Sequence, residues 1–244
     1  MIDRPAGVVL VARALPMLPV KQRALRLGIF IAAWLGLTLS SSVHGAEVGR
    51  NPVERKTVVV LGDSIAAGYG LDLSEAFPAV LQRKIDQAGL NFTVINAGLS
   101  GDTTAGGLRR IDWLLKRRVD VLVLELGGND GLRGLPVGVT HTNLMDIIER
   151  TRKKYPQARF VLTGMQMPPN MGAEYNGAFQ KIFPEVARAK NTTLVPFLLE
   201  GVGGKPGLNL PDGIHPTVEG HQLVAENVWK MLMPLLRELS PLER

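Results

Sequence analysis

The chain has 244 residues, 45% hydrophobic and 20% charged, with no cysteine. That size and balance describe a globular chain with room for a sizeable core, and the missing cysteine excludes disulfides, thiolate metal sites and a cysteine nucleophile. The formal net charge of +6 is unevenly placed: residues 1–46 hold five of the 28 Lys and Arg against Asp3 alone, so the body is near neutral and offers nucleic acid no electrostatic footprint.

In chain order, KQRALR (21–26) is followed by the apolar run LGIFIAAWLGLTL (27–39) and then by the small residues SSSVHGAE. Basic, apolar and small in succession is the anatomy of a secretory signal, and the apolar run is short for a spanning helix. Cleavage is expected near Gly45 or Ala46, with export to a bacterial periplasm or beyond it, and a start at Met17 gives a more ordinary leader. The expected plan is an N-terminal extension and leader over 1–46, a linker over 47–56 and one folded domain over 57–244.

From Lys56 apolar runs alternate with helical patterns. Strands are expected at 57–61, 92–96, 119–126, 159–163 and 193–196. They are rich in Val, Leu and Ile and apolar on both faces, which suits a parallel sheet covered on both sides. Phe77, Val80, Leu81 and Ile85 align on one helix face that stops at Gly89. Leu108, Ile111, Leu114 and Leu115 form a second face, ending in cations that suit the negative end of a helix dipole. Leu144, Ile147 and Ile148 form a third, capped at Thr140 or Thr142. A fourth pattern over 175–190 contains Pro184, expected to kink or split it. The last helix runs from about 217 to 236. This order predicts an α/β doubly wound sheet. The longest irregular stretch, 199–216, is of a length that often carries function.

Ligands of open α/β sheets sit outside the carboxyl ends of the strands. There the chain reads GDS (62–64), NAGLSGDTT (96–104), GGNDG (127–131), GMQMPPN (164–170) and DGIH (212–215). Each is also an ordinary turn composition. A serine nucleophile at Ser64 needs a base and the base an orienting group. Of four histidines, His44 lies in the leader, His141 precedes a helix and His221 lies in the last helical pattern. His215 sits on a loop three residues after Asp212, where one tight turn can bring the carboxylate to Nδ1 and leave Nε2 for Ser64. A solvent-exposed loop pair is an equal reading of that spacing. An oxyanion needs preorganised donors, and the N–H of Ser64, the N–H of Gly101 and the side-chain amide of Asn129 are candidates, although Asn129 can equally cap its own turn.

Other chemistries fit less well. GDSIAAGYG lacks the lysine and hydroxyl of a phosphate loop and is not G-x-G-x-x-G, so a non-catalytic flavin- or nucleotide-binding module is the weaker alternative. Asp212, His215, Glu219 and His221 match no familiar zinc spacing, and neither metal nor cofactor is expected. Near the strand ends Leu132, Leu135, Met165, Met167, Pro168, Pro169 and Met171 offer apolar, adaptable surface. Leu132, Met167 and Pro168 are the expected substrate contacts. An aromatic content of 5% favours acyl chains over stacked sugars.

Taken in order, Gly62-Asp63-Ser64, Gly101 within NAGLSGD, Asn129 within GGND, and DGIHP with Asp212 and His215 resemble the four blocks of the SGNH, or GDSL-type, serine hydrolases. The resemblance covers roughly 56–236 and looks closest to the bacterial periplasmic thioesterase I/lysophospholipase and arylesterase group. GDSI replaces GDSL, and Pro211 stands where that group often has an acid. The resemblance implies a flavodoxin-like three-layer αβα sandwich with a five-stranded parallel sheet in the order 2-1-3-4-5. It also implies a metal-free mechanism with Ser64 as nucleophile, His215 as general base and then acid, and Asp212 orienting it. Ser64, Gly101 and Asn129 would form the oxyanion hole. The implied substrates are small acyl esters or thioesters, with transient contact with lipid. Carbohydrate O-acetylesterases and acyltransferases share the same blocks and remain the alternatives.

Overall fold

A computed structural model describes residues 54–240, so the expected leader over 1–46 and its cleavage site lie outside the described residues. Val58, Val59 and Val60 are β-branched, favour extended backbone and are wholly buried with Leu61. They form the centre of β1 (Lys56–Gly62). β1 pairs with β2 (Phe92–Gly98) on one side and β3 (Val121–Glu125) on the other. β4 (Arg159–Thr163) and β5 (Thr193–Val195) follow outward from β3, and every pairing is parallel. The order is 2-1-3-4-5, as the resemblance implied.

Parallel neighbours need crossovers, and helices supply them. A short α1 (Ser64–Ala67) and α2 (Phe77–Gln87) follow β1, and α3 (Thr104–Leu114) follows β2. α4 (Gly128–Leu132) and α5 (Val137–Lys154) follow β3, α6 (Ala173–Lys190) follows β4, and α7 (Val218–Leu239) closes the fold. α2 packs beside α7, while α3, α5 and α6 pack as a second group. The apolar faces read from the sequence supply the core: Phe77, Leu81, Ile85, Ile111, Leu144 and Ile147 are fully buried.

Three expectations are corrected. α5 starts at Val137 after Pro136, not at Thr140 or Thr142; a proline at a helix start carries a preset φ and its missing N–H costs nothing. Thr140 is instead buried inside the helix, with its hydroxyl donating to Asp130 at 3.3 Å. α3 ends at Leu114, ahead of the cations at 116–118. Pro184 does not split α6, which is continuous through it. The carbonyl that loses its partner belongs to Gln180, an exposed residue on the solvent side of the helix.

The outer edge of β2 is closed by a side chain. The Gln82 amide accepts the N–H of Val94 at 2.6 Å and donates to the carbonyl of Phe92 at 3.2 Å.

His221 of α7 is buried, and its Nδ1 accepts the N–H of Phe77 at 3.2 Å, satisfying a donor that the start of α2 would otherwise leave free. Burial first, and the charge of His215 second, lower its pKa from 6.5 to about 4. A base whose folded pKa lies below its unfolded value gains protons on unfolding, so its contribution to stability falls as pH drops from about 6.5 to 4. Thermal melts across that window should therefore decline with acidification, and His221→Gln, which keeps an acceptor but cannot titrate, should flatten the decline. An equally steep slope in the variant would place the acid sensitivity elsewhere.

Candidate active site

β1 ends at Gly62 and α1 begins at Ser64, so the chain turns within one residue. Asp63 caps the helix, its Oδ1 accepting the Ile65 N–H at 3.0 Å. Glu125, the last residue of β3, accepts the N–H groups of Asp63 at 3.0 Å and Ala66 at 3.3 Å on Oε2. The turn requires glycine at two strand ends. A Cβ on Gly62 would lie 2.3 Å from Glu125 Oε2, and one on Gly98 would lie 2.3 Å from the Ala67 nitrogen. Ser64 is thus held at the carboxyl edge of the sheet. Its own N–H belongs to the first turn of α1, where helices have no internal acceptor.

The structure brings Asp212 and His215 to this serine. His215 Nε2 lies 2.9 Å from Ser64 Oγ, and Asp212 Oδ2 lies 2.6 Å from His215 Nδ1. Asp212 also builds the turn that presents the ring. Its Oδ1 accepts the N–H groups of Ile214 at 2.8 Å and His215 at 3.0 Å, and Leu210 N–H bonds to the His215 carbonyl at 2.7 Å. Partial desolvation raises the pKa of Asp212, but the bond to the His215 ring and the two N–H groups outweigh it and bring it down to about 2. The carboxylate is therefore ionised at any pH where the fold is useful. The Tyr69 ring leans on the imidazole, with centroids 4.4 Å apart.

Gly101 follows β2 with φ +78°, a conformation open to glycine. Its carbonyl accepts Arg133 Nη2 at 2.9 Å and the next N–H, of Asp102, bonds to Leu99 at 3.0 Å, which clamps the peptide beyond it. Asn129, in α4, donates through Nδ2 to Asp63 Oδ2 at 3.1 Å and to the Asp102 carbonyl at 2.9 Å. Both amide hydrogens are thus aimed at protein acceptors, and an oxyanion would have to share or displace one of them.

A cleft of about 510 Å³ opens beside Ser64, Asn129 and His215. Leu132, Met165, Met167, Pro168 and Pro169 line it as expected, while Leu135 and Met171 are not among its lining residues. Gly131 makes room for Met167, since a Cβ there would lie 2.1 Å from Sδ. Phe197, Leu199, Gly203 and Ile214 also line the cleft and were not picked out from the sequence. Ile214 lies within the DGIH motif, and the others lie in or next to the part of the irregular stretch before it, whose only signal was its length. Among the described residues, no group of three or more His, Cys, Asp or Glu is arranged to hold a metal ion. His221 is turned toward Phe77 rather than toward Asp212.

Chemically, this arrangement can take a proton from a hydroxyl through an oriented imidazole and return it to a leaving group. The free N–H groups at the strand ends can hold a negative oxygen.

The pattern of the GDSL-like Lipase/Acylhydrolase family matches residues 60–223. The chain is similar to esterase TesA of Pseudomonas aeruginosa, 44% identical over 182 residues, covering 74% of this chain and 90% of that protein. It is 38% identical over 177 residues to an arylesterase of Vibrio mimicus, covering 72% and 88%. Against thioesterase 1/protease 1/lysophospholipase L1 of Escherichia coli K12 it is 40% identical over 185 residues, covering 75% and 86%. A solved structure of the psychrotrophic esterase EstA from Pseudoalteromonas sp., inhibited by monoethylphosphonate, superposes with a TM-score of 0.70 at 33% identity, covering 75% of this chain and 99% of that one.

The close approach of β2 to α1 can be tested directly. The atoms facing Gly98 are backbone and cannot swing aside. Gly98→Ala is expected to cost about 1–3 kcal/mol, as other overpacked interiors do, read as a lower urea midpoint. An unchanged midpoint would show that α1 can shift to accommodate a methyl group.

Proposed function

This chain belongs to the GDSL-like lipase/acylhydrolase family, and from that premise we propose that it hydrolyses acyl esters through an acyl-enzyme on Ser64. The observation that carries the reading is the continuous contact from Asp212 Oδ2 through both nitrogens of His215 to Ser64 Oγ. Ser64 Oγ attacks the acyl carbonyl as His215 Nε2 takes its proton. Asp212, ionised, keeps Nδ1 protonated and steadies the imidazolium. The N–H groups of Ser64 and Gly101 hold the oxyanion, joined by Asn129 Nδ2 once it gives up one of its resting bonds. His215 then passes the proton to the departing alcohol or thiol. Water repeats the sequence on the acyl-enzyme, releasing the acid and restoring Ser64.

The cleft lined by Leu132, Met167 and Pro168 suits the acyl group, because it is apolar and shaped by flexible methionine. The names of the relatives support aryl and other esters as substrates, with thioesters and lysophospholipids as further ones. The basic, apolar and small segments of residues 21–46 support export.

Ser64→Ala should lower p-nitrophenyl ester turnover by at least about a thousandfold while leaving the melting transition in place; full turnover in that variant would end the assignment. A phosphonate inhibitor should add its mass to the peptide containing Ser64, and an adduct elsewhere would move the nucleophile. Asn129→Ala should lower kcat by on the order of 10²–10³ with little change in KM. A rise in KM at constant kcat would make Asn129 a ground-state contact instead.

A further inference from the structure

Two acids lie beneath Ser64, and among the described residues no lysine or arginine forms an ion pair with either. Asp63 is 2% exposed and Glu125 is 0% exposed. The nearby guanidinium of Arg110 is committed elsewhere, to Asp102 at 2.7 Å and to the carbonyls of Ala97 and Gly62. Two carboxylates in one dry pocket cannot both stay ionised, because the second charge costs more than binding a proton.

The hydrogen bonds indicate which acid takes the proton. Both Asp63 oxygens accept: Oδ1 from Ile65 and Oδ2 from Asn129. Glu125 Oε2 accepts two N–H groups, but Oε1 is buried with no partner. A buried carboxylate oxygen without a donor is a poor place for charge and a good place for a proton. Burial first, then the charge of Asp63, drives the pKa of Glu125 well above its ordinary value. Burial also raises Asp63, to about 6, against the lowering pull of the Ile65 N–H, the charge of His215 and hydrogen bonds from Glu125 and Asn129.

We propose that Glu125 is a neutral acid in the working enzyme, its proton lying in the side-chain hydrogen bond that it shares with Asp63, and that Asp63 carries the one remaining charge and positions Asn129 and the start of α1 with it. The kinetic side of this rests on the function proposed above; the protonation state does not. A second charge would lie close to the negative oxygen that the substrate develops and would raise the barrier to forming it. The single charge on Asp63 faces the imidazolium of His215, whose other carboxylate is Asp212. The remaining charged groups around the pocket are turned away. Asp102 and Arg110 pair with each other, and Asp130 of α4 accepts from the hydroxyls of Thr104 and Thr140. Asp63 and Glu125 are thus positioning residues, acting through Asn129, α1 and His215.

The test is carbon NMR of the whole protein labelled at the glutamate side-chain carboxyl, titrated from pH 5 to 8. No other glutamate among the described residues is buried, which makes the signal assignable. One resonance is expected at the neutral-acid position through pH 7, and it should be absent from Glu125→Gln. If every glutamate resonance stands at the carboxylate position at pH 7, the proposal is overturned. Should Glu125→Gln not fold, the titration of the unaltered protein decides by itself. In ester hydrolysis, Glu125→Gln keeps both an acceptor and a donor and should lower kcat by less than about tenfold. Asp63→Asn removes the charge and should lower kcat by about tenfold or more, a fraction of what loss of an oxyanion donor costs. KM should hardly move. A folded Glu125→Gln that loses more than Asp63→Asn would mean that the glutamate works as an anion. Failure of the esterase assignment would leave the NMR result standing.

Discussion

Glu125 Oε2 accepts the N–H groups of Asp63 and Ala66, and the position of Ser64 follows from that one seat. β1 and β3 are neighbours, with Gly62 opposite Glu125 in the ladder. The acid that ends one strand therefore meets the peptide that leaves the next. Such outside bonds are needed because α1, at four residues, is far too short to be stable by its own hydrogen bonds. The two glycines that flank it, Gly62 and Gly98, let the helix settle directly onto the strand ends. Ser64 is presented by packing and hydrogen bonds against the sheet.

The imidazole beside Ser64 has farther to come. His215 follows β5, and β5 is separated from β1 by both β4 and β3. The irregular stretch after β5 is long because it must cross that distance. It is also braced. Asn209 donates to the carbonyls of Val202 and Lys205, Asn209 bridges to Pro216, and Thr217 N–H bonds to Leu208. Asp212 then does two jobs with its two oxygens, shaping the turn with Oδ1 and orienting the ring with Oδ2. Steadiness of the loop and steadiness of the imidazole are the same property here.

Much of this was legible in the sequence, for reasons that particular residues make plain. The strands were visible because a sheet covered on both faces needs unbroken apolar runs such as Val58–Leu61. Ser64, Gly101 and Asn129 were visible because each stands just past a strand, whereas Asp212 and His215 lie at the far end of the long stretch after β5. Helix ends were less legible. Pro136 precedes α5 and Pro184 sits within α6, and the sequence does not separate a tolerated proline from a breaking one. Phe197 and Leu199 were hidden because loops carry no period. Glu125 was passed over inside the run VLVLE, although an acid between buried leucines always calls for a partner. The double engagement of the Asn129 amide could not be read at all, since it depends on where Asp63 and Asp102 meet in space.

The Gln82 amide on the rim of the sheet bears on how the protein behaves in company. β2 is an outermost strand, and such strands present unpaired N–H and C=O groups that can recruit a strand from another molecule. Gln82 occupies one donor and one acceptor of that row as a neighbouring strand would. A newcomer must evict this intramolecular amide before it can pair. This is one place on the β2 edge where pairing with another molecule is opposed without a charge on the rim.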